Sequence, residues 1–152
     1  MSNPVLFETT LLVRDTCLCL RTQRAARALA RHFDEVLKPA GLTNQQFSLL
    51  MALNRPEPPP MGSVSRLLAM DRTTLTAALK PLERRGLVRT EPSPTDRRSR
   101  LLSLTQAGKD LLAGAVPIWL ETHMAIETRL EGFDPDALRA ALGVLSTIER
   151  PA

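Results

Sequence analysis

Residues Asp71 to Thr105 read DRTTLTAALKPLERRGLVRTEPSPTDRRSRLLSLT, a helical period followed by two short apolar-rich runs around a basic, proline-rich loop. Asp71 is placed to cap a helix, its carboxylate accepting from amides that the first turn leaves without partners. At about 100° per residue, Leu75, Ala78, Leu79 and Leu82 fall on one side. Arg72, Thr73, Thr76, Ala77, Lys80 and Arg84 lie around the flank and far side, with Thr74 beside them. An ordinary amphipathic helix mixes carboxylates with amines on its outer face. This one offers hydroxyls, a methyl and cations with only Glu83 nearby, a surface suited to phosphates and base edges. Gly86 then stops the helix, as a glycine at C′ does.

Charge is concentrated in the same place. Residues 71–100 hold eight basic and four acidic side chains, so they carry the whole net charge of +4; the other 122 residues balance at twelve of each. A concentrated basic patch is the footprint of a polyanion partner, although charge alone does not separate it from a solvated basic face. After Leu87 to Glu91 comes the eight-residue tip Pro92 to Ser99, then Arg100 to Leu104. The two runs fit a β-ribbon, and the prolines are expected to keep its tip from pairing. That tip carries Asp96, Arg97 and Arg98, with Arg100 at its return. An arginine on an extended finger can enter a minor groove, and a nearby carboxylate can hold its guanidinium extended. A helix followed at once by a basic two-stranded ribbon is a winged helix.

The flanking sequence is helical. Residues 1–9 read as a frayed arm, and residues 10–37 as one long helix with Leu12, Leu18, Ala25, Leu29, Phe33 and Val36 as a stripe. Lys38-Pro39-Ala40-Gly41 stops it. Thr43 with Gln46 makes a capping box for the next helix, burying Phe47, Leu49, Leu50 and Leu53. Arg55 to Pro60 is a rigid spacer. A short helix over residues 63–69 turns Val64, Leu67 and Leu68 inward and passes directly to Asp71. Two short helices so joined, the second one basic, form a helix-turn-helix. Thr105 caps a further helix reaching Leu130, with Pro117 expected to kink it. Asp134-Pro135-Asp136 opens the last helix, whose apolar face is Ala137, Leu138, Ala141, Leu142, Leu145 and Ile148.

The expected fold class is therefore mainly α with a small β-wing. Residues 1–40 form an N-terminal dimerisation arm and helix, residues 41–105 a winged helix-turn-helix DNA-binding domain, and residues 106–152 C-terminal dimerisation helices. The Leu/Ala stripes of the outer helices exceed what one small winged domain covers. The ends of the chain are thus expected to interlock with a second copy, as a homodimer that sets two recognition helices on one face of double-stranded DNA. No run of 18 apolar residues and no export signal occurs, so no membrane partner is expected and the cytoplasm is the expected location. Two cysteines and no disulfide framework agree with a reducing compartment.

Gly41-Leu42-Thr43, Leu75-Thr76, Leu82-Glu83-Arg84-Arg85-Gly86-Leu87-Val88, Asp96-Arg97-Arg98 and Leu104-Thr105-Gln106-Ala107-Gly108 together give the chain a resemblance, over essentially its full length, to the MarR (multiple-antibiotic-resistance regulator) family of winged-helix transcription regulators. The resemblance implies a dimer on a pseudo-palindromic operator, usually as a repressor, released when a small aromatic or anionic effector binds between the dimerisation and DNA-binding regions. It makes Arg98 the minor-groove arginine, Asp96 its orienting carboxylate, and Thr73, Thr74, Thr76 and Lys80 major-groove residues. Pro81 is unusual in a recognition helix, and its bend is expected to tilt Arg84 and Arg85 relative to the groove.

Some relatives sense peroxides through a first-helix cysteine, and an ungapped count back from Gly41 puts Cys19 at that place. Those relatives polarise the thiol with tyrosines, and this chain has none. Cys17 and Cys19, about 200° apart on one helix, can neither bridge nor share a metal. Arg14 and Arg21 are near enough in sequence to favour a thiolate, while core packing is the plainer role. Trp119 and His123, one turn apart, are candidates for an effector pocket, with core packing again the alternative. No catalytic, phosphate-loop, dinucleotide or metal motif occurs, so neither an enzyme nor a cofactor is expected. Beside the ligand-released repressor stand two alternatives: a thiol-based redox-sensing repressor using Cys19, and a winged-helix protein-assembly module that does not bind DNA.

Overall fold

The computed structural model describes residues 4–151. Its elements run α1 (Phe7–Thr16), α2 (Leu18–Leu37), a 3-10 turn (Lys38–Ala40), α3 (Asn44–Leu53), α4 (Met61–Leu68), α5 (Arg72–Arg84), β1 (Val88–Pro92), β2 (Arg100–Leu104), α6 (Gln106–Thr128) and α7 (Pro135–Ser146). The fold is mainly helical with a two-stranded antiparallel wing, as expected from the sequence. Among the described residues no helix is long and apolar enough to cross a membrane.

Local caps set most of the boundaries. The Thr43 hydroxyl accepts from the Gln46 N–H at 3.2 Å while the Gln46 amide oxygen accepts from the Thr43 N–H at 3.1 Å, the reciprocal capping box read from the sequence. Asp134 starts α7 by accepting from the Asp136 N–H at 2.9 Å. Phe47, Leu49, Leu50 and Leu53 of α3, Val64 of α4, and Leu75, Leu79 and Leu82 of α5 meet in one core, closed by Leu37, Leu102, Leu112 and Ala115. The proline-rich spacer docks on the wing: the Leu102 N–H donates to the buried Pro59 carbonyl at 3.0 Å, and Pro60 bridges Leu101. Proline lacks a donor but accepts freely, so it suits this edge. At the other end of the core, the N–H and Nδ2 of Asn44 donate to Asp34 Oδ1 at 2.8 and 2.7 Å, tying the end of α2 to the start of α3.

Several expectations need correction. Residues 1–3 lie outside the described residues, but Phe7 already begins a helix, so the arm is not frayed throughout residues 1–9. The first long helix is two helices, because Cys17 takes extended backbone (ψ 109°), and its Sγ accepts from the Leu20 N–H at 3.4 Å as the cap of α2. The two cysteines therefore do not sit on one continuous helix. Leu12, Leu18, Ala25 and Leu29 are exposed in the single chain, while Phe33 and Val36 are half-buried. Helix α4 starts at Met61, and Leu67 is 58% exposed. Val64 and Leu68, one turn apart, take the inward face and leave Leu67 beside it. Helix α6, with Pro117 inside it, stops at Thr128, not Leu130. Ile148 lies beyond α7, which buries none of its residues in the single chain.

Candidate nucleic-acid interface

The outer face of α5 is set by how the helix is anchored. Asp71 Oδ1 accepts from the Thr74 N–H at 2.8 Å, a bond that holds the Asp71 carboxyl below its ordinary range. Burial of Leu75, Leu79 and Leu82 then leaves Arg72, Thr73, Thr74, Thr76, Ala77, Lys80 and Arg84 exposed. The Thr76 hydroxyl turns back to donate to the Arg72 carbonyl at 2.8 Å. Pro81 has no N–H to offer the Ala77 carbonyl, yet the helix continues to Arg84, with the Arg85 N–H donating to the Pro81 carbonyl at 3.1 Å. The turn before α5 is strained. Ala69 sits in the left-handed region at φ 51°, where the Ala69 and Met70 amides close a Schellman motif on Arg66 and Ser65.

The wing is joined to α5 by polar contacts. Glu83, the acid near the outer face, accepts from the Thr90 hydroxyl. Gly86 ends α5 at φ +69°, and its carbonyl accepts from the Thr105 hydroxyl at 2.6 Å. The Thr105 N–H donates to the Leu87 carbonyl at 3.0 Å, and the Thr105 hydroxyl also caps α6 by accepting from the Gly108 N–H at 3.1 Å. Gly108 packs so closely on Leu87 that an added Cβ would lie 2.1 Å from the Leu87 carbonyl oxygen. The spacing of the threonine and glycine in Leu104-Thr105-Gln106-Ala107-Gly108 thus has a steric cause.

At the far end, Pro92 still belongs to the ladder, paired with Arg100, contrary to the expectation that the tip begins there. It occupies the last rung, beyond which the Ser93 N–H donates to the Ser99 carbonyl at 3.0 Å. The Ser93 hydroxyl accepts from the Thr95 and Asp96 amides, each at 3.3 Å, and the Ser99 N–H donates to the Asp96 carbonyl at 3.0 Å. Asp96 Oδ1 accepts from the backbone N–H of Arg98 at 3.0 Å. The carboxylate assigned from the sequence to the guanidinium thus orders the turn on which Arg98 stands. Arg97, Arg98 and Arg100 are exposed. The wing is an ordered finger with cations at its end.

Trp119 is half-buried between two rings, stacked on Phe47 at 6.2 Å and on His123 at 4.7 Å between centroids. His123 Nδ1 lies 3.7 Å from Glu127, which also pairs with Arg139 at 2.5 Å. The aromatic pair therefore links the helix-turn-helix core to α7 along one face of α6. A cleft of about 210 Å³ opens beside it, between Ala30, Phe33 and Leu37 of α2 and Phe47 and Trp119. Cys19 is exposed and accepts from Gln23 Nε2 at 3.1 Å, so it does not pack in the core of the single chain. Arg14 is paired with Asp15 at 2.7 Å, and Arg21 reaches the Asp15 carbonyl at 3.4 Å. Among the described residues no cluster of His, Cys, Asp or Glu could hold a metal ion. Sequence reasoning missed Gln45, exposed at the start of α3, which shares a cleft with Thr73, Thr74 and Ala77 of α5. Nothing in its local pattern marks it, since only the packing of α3 on α5 brings the two together.

Residues 40–99 match the family described as MarR family. The Transcriptional activatory protein BadR of Rhodopseudomonas palustris is 35% identical over 95 residues, spanning 60% of this chain and 54% of that protein, little more than half its length. The organic hydroperoxide resistance transcriptional regulator of Bacillus subtilis is 32% identical over 101 residues, 66% of this chain and 69% of that one. The crystal structure of the M. tuberculosis transcriptional regulator MOSR in complex with DNA is similar at a TM-score of 0.72 and 32% identity, covering 86% of this chain and 93% of that one. These relatives are transcription regulators, not enzymes.

Proposed function

The chain belongs to the MarR family, and on that footing we propose that it is a sequence-specific DNA-binding transcription regulator, working as a homodimer on a pseudo-palindromic operator and acting as a repressor. One observation carries the reading. A single module presents an acid-poor polar helix face together with a hydrogen-bonded finger whose Arg97 and Arg98 are exposed. Thr73, Thr74, Thr76 and Lys80 face the major groove, with Arg72, Arg84, Arg97 and Arg100 on flanking phosphates. Arg98 enters the adjacent minor groove, and Asp96 fixes the turn that aims it.

The division into residues 41–105 for DNA and residues 1–40 and 106–152 for dimerisation belongs to the same reading. Its support is that α1 and α7 bury no residue in the single chain. Phe7, Leu12, Leu18, Phe133 and Val144 are between 60% and 75% exposed. So much apolar surface on both ends of one chain suits a second copy. The effector is a small aromatic or anionic molecule that enters beside Trp119 and His123 and changes how α2 and α6 hold the DNA-binding module.

Fragments of the source genome selected by the purified chain, footprinted at single-base resolution, test the reading. Two protected half-sites about one helical turn apart, bound by two copies, are expected; protection of a single half-site by one copy refutes it. A reporter fused to a selected fragment then separates repression from activation. A second reading, redox control through Cys19, is favoured by the exposure of that thiol. Peroxide titration of the reduced protein that leaves operator affinity unchanged rules it out.

A further inference from the structure

We infer that the cleft between α3 and α5 seats the C5-methyl group of a thymine in each operator half-site, an inference that rests on the DNA-binding reading and sharpens it. The cleft, of about 580 Å³, is lined by Ala77, Ala78 and Pro81 together with Thr73, Thr74 and amide and hydroxyl groups from the start of α3, Gln45 among them. No charged residue lines it, although Arg72, Lys80 and Arg84 are exposed on the same helix. It lacks the arginine and lysine that carry most phosphate contacts, and its amide and hydroxyl groups can serve base edges beside an apolar floor.

Its position is that of a base reader. At about 100° per residue, Thr73 and Ala77 lie within roughly 40° of the direction opposite the buried Leu75–Leu79–Leu82 stripe, so they project furthest from the core. Ala78 and Pro81, half-buried, continue the apolar floor along the flank toward α3. Pro81 adds its ring carbons to that floor, while the Ala77 carbonyl is left without its intrahelical donor. Among the four bases only thymine shows an apolar group in the major groove, and alanine and threonine methyls are the side chains that meet it. The Gln46 amide oxygen accepts from the Thr43 N–H in the capping box, which holds that side chain along the wall of the cleft. Guanine reading falls instead to Lys80 or Arg84, outside the cleft.

The test uses duplexes selected by the purified chain from a randomised library. Each thymine of the tightest duplex is replaced in turn by deoxyuridine, which deletes the methyl and nothing else. One thymine in each half-site is expected to show an affinity loss of about four-fold, the factor set by one apolar carbon removed from water. Ala77→Ser, which sets a hydroxyl against the methyl while Ala78 and Pro81 remain, is expected to shrink the difference between the thymine and deoxyuridine duplexes at that position. Tight binding that is indifferent to deoxyuridine at every thymine overturns the inference and leaves DNA binding standing. So does a penalty that persists undiminished in Ala77→Ser. Failure to enrich any duplex overturns the DNA-binding reading and this inference with it.

Discussion

Replacing Gly108 with alanine forces a methyl group to within 2.1 Å of the Leu87 carbonyl oxygen. A carbon and an oxygen in contact need about 3.3 Å, so α6 and the β1 root must separate by roughly 1 Å. The separation is resisted by backbone on both sides, because Leu87 follows the left-handed Gly86 and Gly108 lies in the first turn of α6. Two bonds cross the junction, the Thr105 N–H to the Leu87 carbonyl at 3.0 Å and the Thr105 hydroxyl to the Gly86 carbonyl at 2.6 Å. Losing or stretching both costs about 1–2 kcal/mol, and residual overpacking adds about 1 kcal/mol. The expected destabilisation is about 2–3 kcal/mol, or roughly 4–12 °C in Tm for a chain of this length. Gly114→Ala is the control: it lies in the same helix with nothing within 4 Å of the added methyl. There the gain in helix propensity is expected to stabilise by about 0.5–1 kcal/mol. Urea unfolding of both variants at equal chain concentration reads the difference. Unfolding of Gly108→Ala at or above the wild-type midpoint would refute the steric account of the Thr105–Gly108 spacing.

Arg98→Ala is expected to weaken operator binding at least ten-fold while leaving the oligomeric state unchanged, measured by fluorescence anisotropy beside sedimentation velocity. Ala69→Gly should raise stability by about 1 kcal/mol, since a residue with a Cβ pays that much to hold the left-handed turn between α4 and α5; thermal melting checks it. The two Asn44 donors hold the Asp34 carboxyl below its ordinary range. The folded chain therefore binds that proton less readily than the unfolded one. The stability it contributes is fully present above the unfolded pKa, about 3.9, and is lost as pH falls through the lower folded value. Asp34→Asn should thus be less stable than wild type near neutrality, with the gap closing in acid, as urea midpoints taken from about pH 6 down to about pH 3 will show.

What could be read from the sequence was governed by how local the cause was. The caps at Thr43, Asp71, Thr105 and Asp134 each rest on a bond to a residue two or three positions on, so residue type and spacing revealed them. The wing was legible because two short apolar runs flank a proline-rich loop, though not the place of Pro92 on its last rung. The break at Cys17 was hidden, because neither proline nor glycine marks it and the thiol that caps α2 is an unusual cap. Leu67 was misplaced because an eight-residue helix gives too few turns to fix the phase of its apolar stripe. The contact behind Gly108 joins residues 21 positions apart in number and could be seen only as spacing. Asp96 was recognised, but its partner is the Arg98 backbone, which no pattern of side chains foretells.

Duplex affinity measured across a range of salt concentrations tests the central claim most directly. Two copies would bring twelve exposed arginines and lysines to the DNA from Arg72, Lys80, Arg84, Arg97, Arg98 and Arg100. If half of them reach phosphates, a plot of log affinity against log salt should fall with a slope of about −5 at two chains per duplex. A shallow slope near zero, or one chain per duplex, would contradict the account and favour a winged-helix module that assembles with proteins instead.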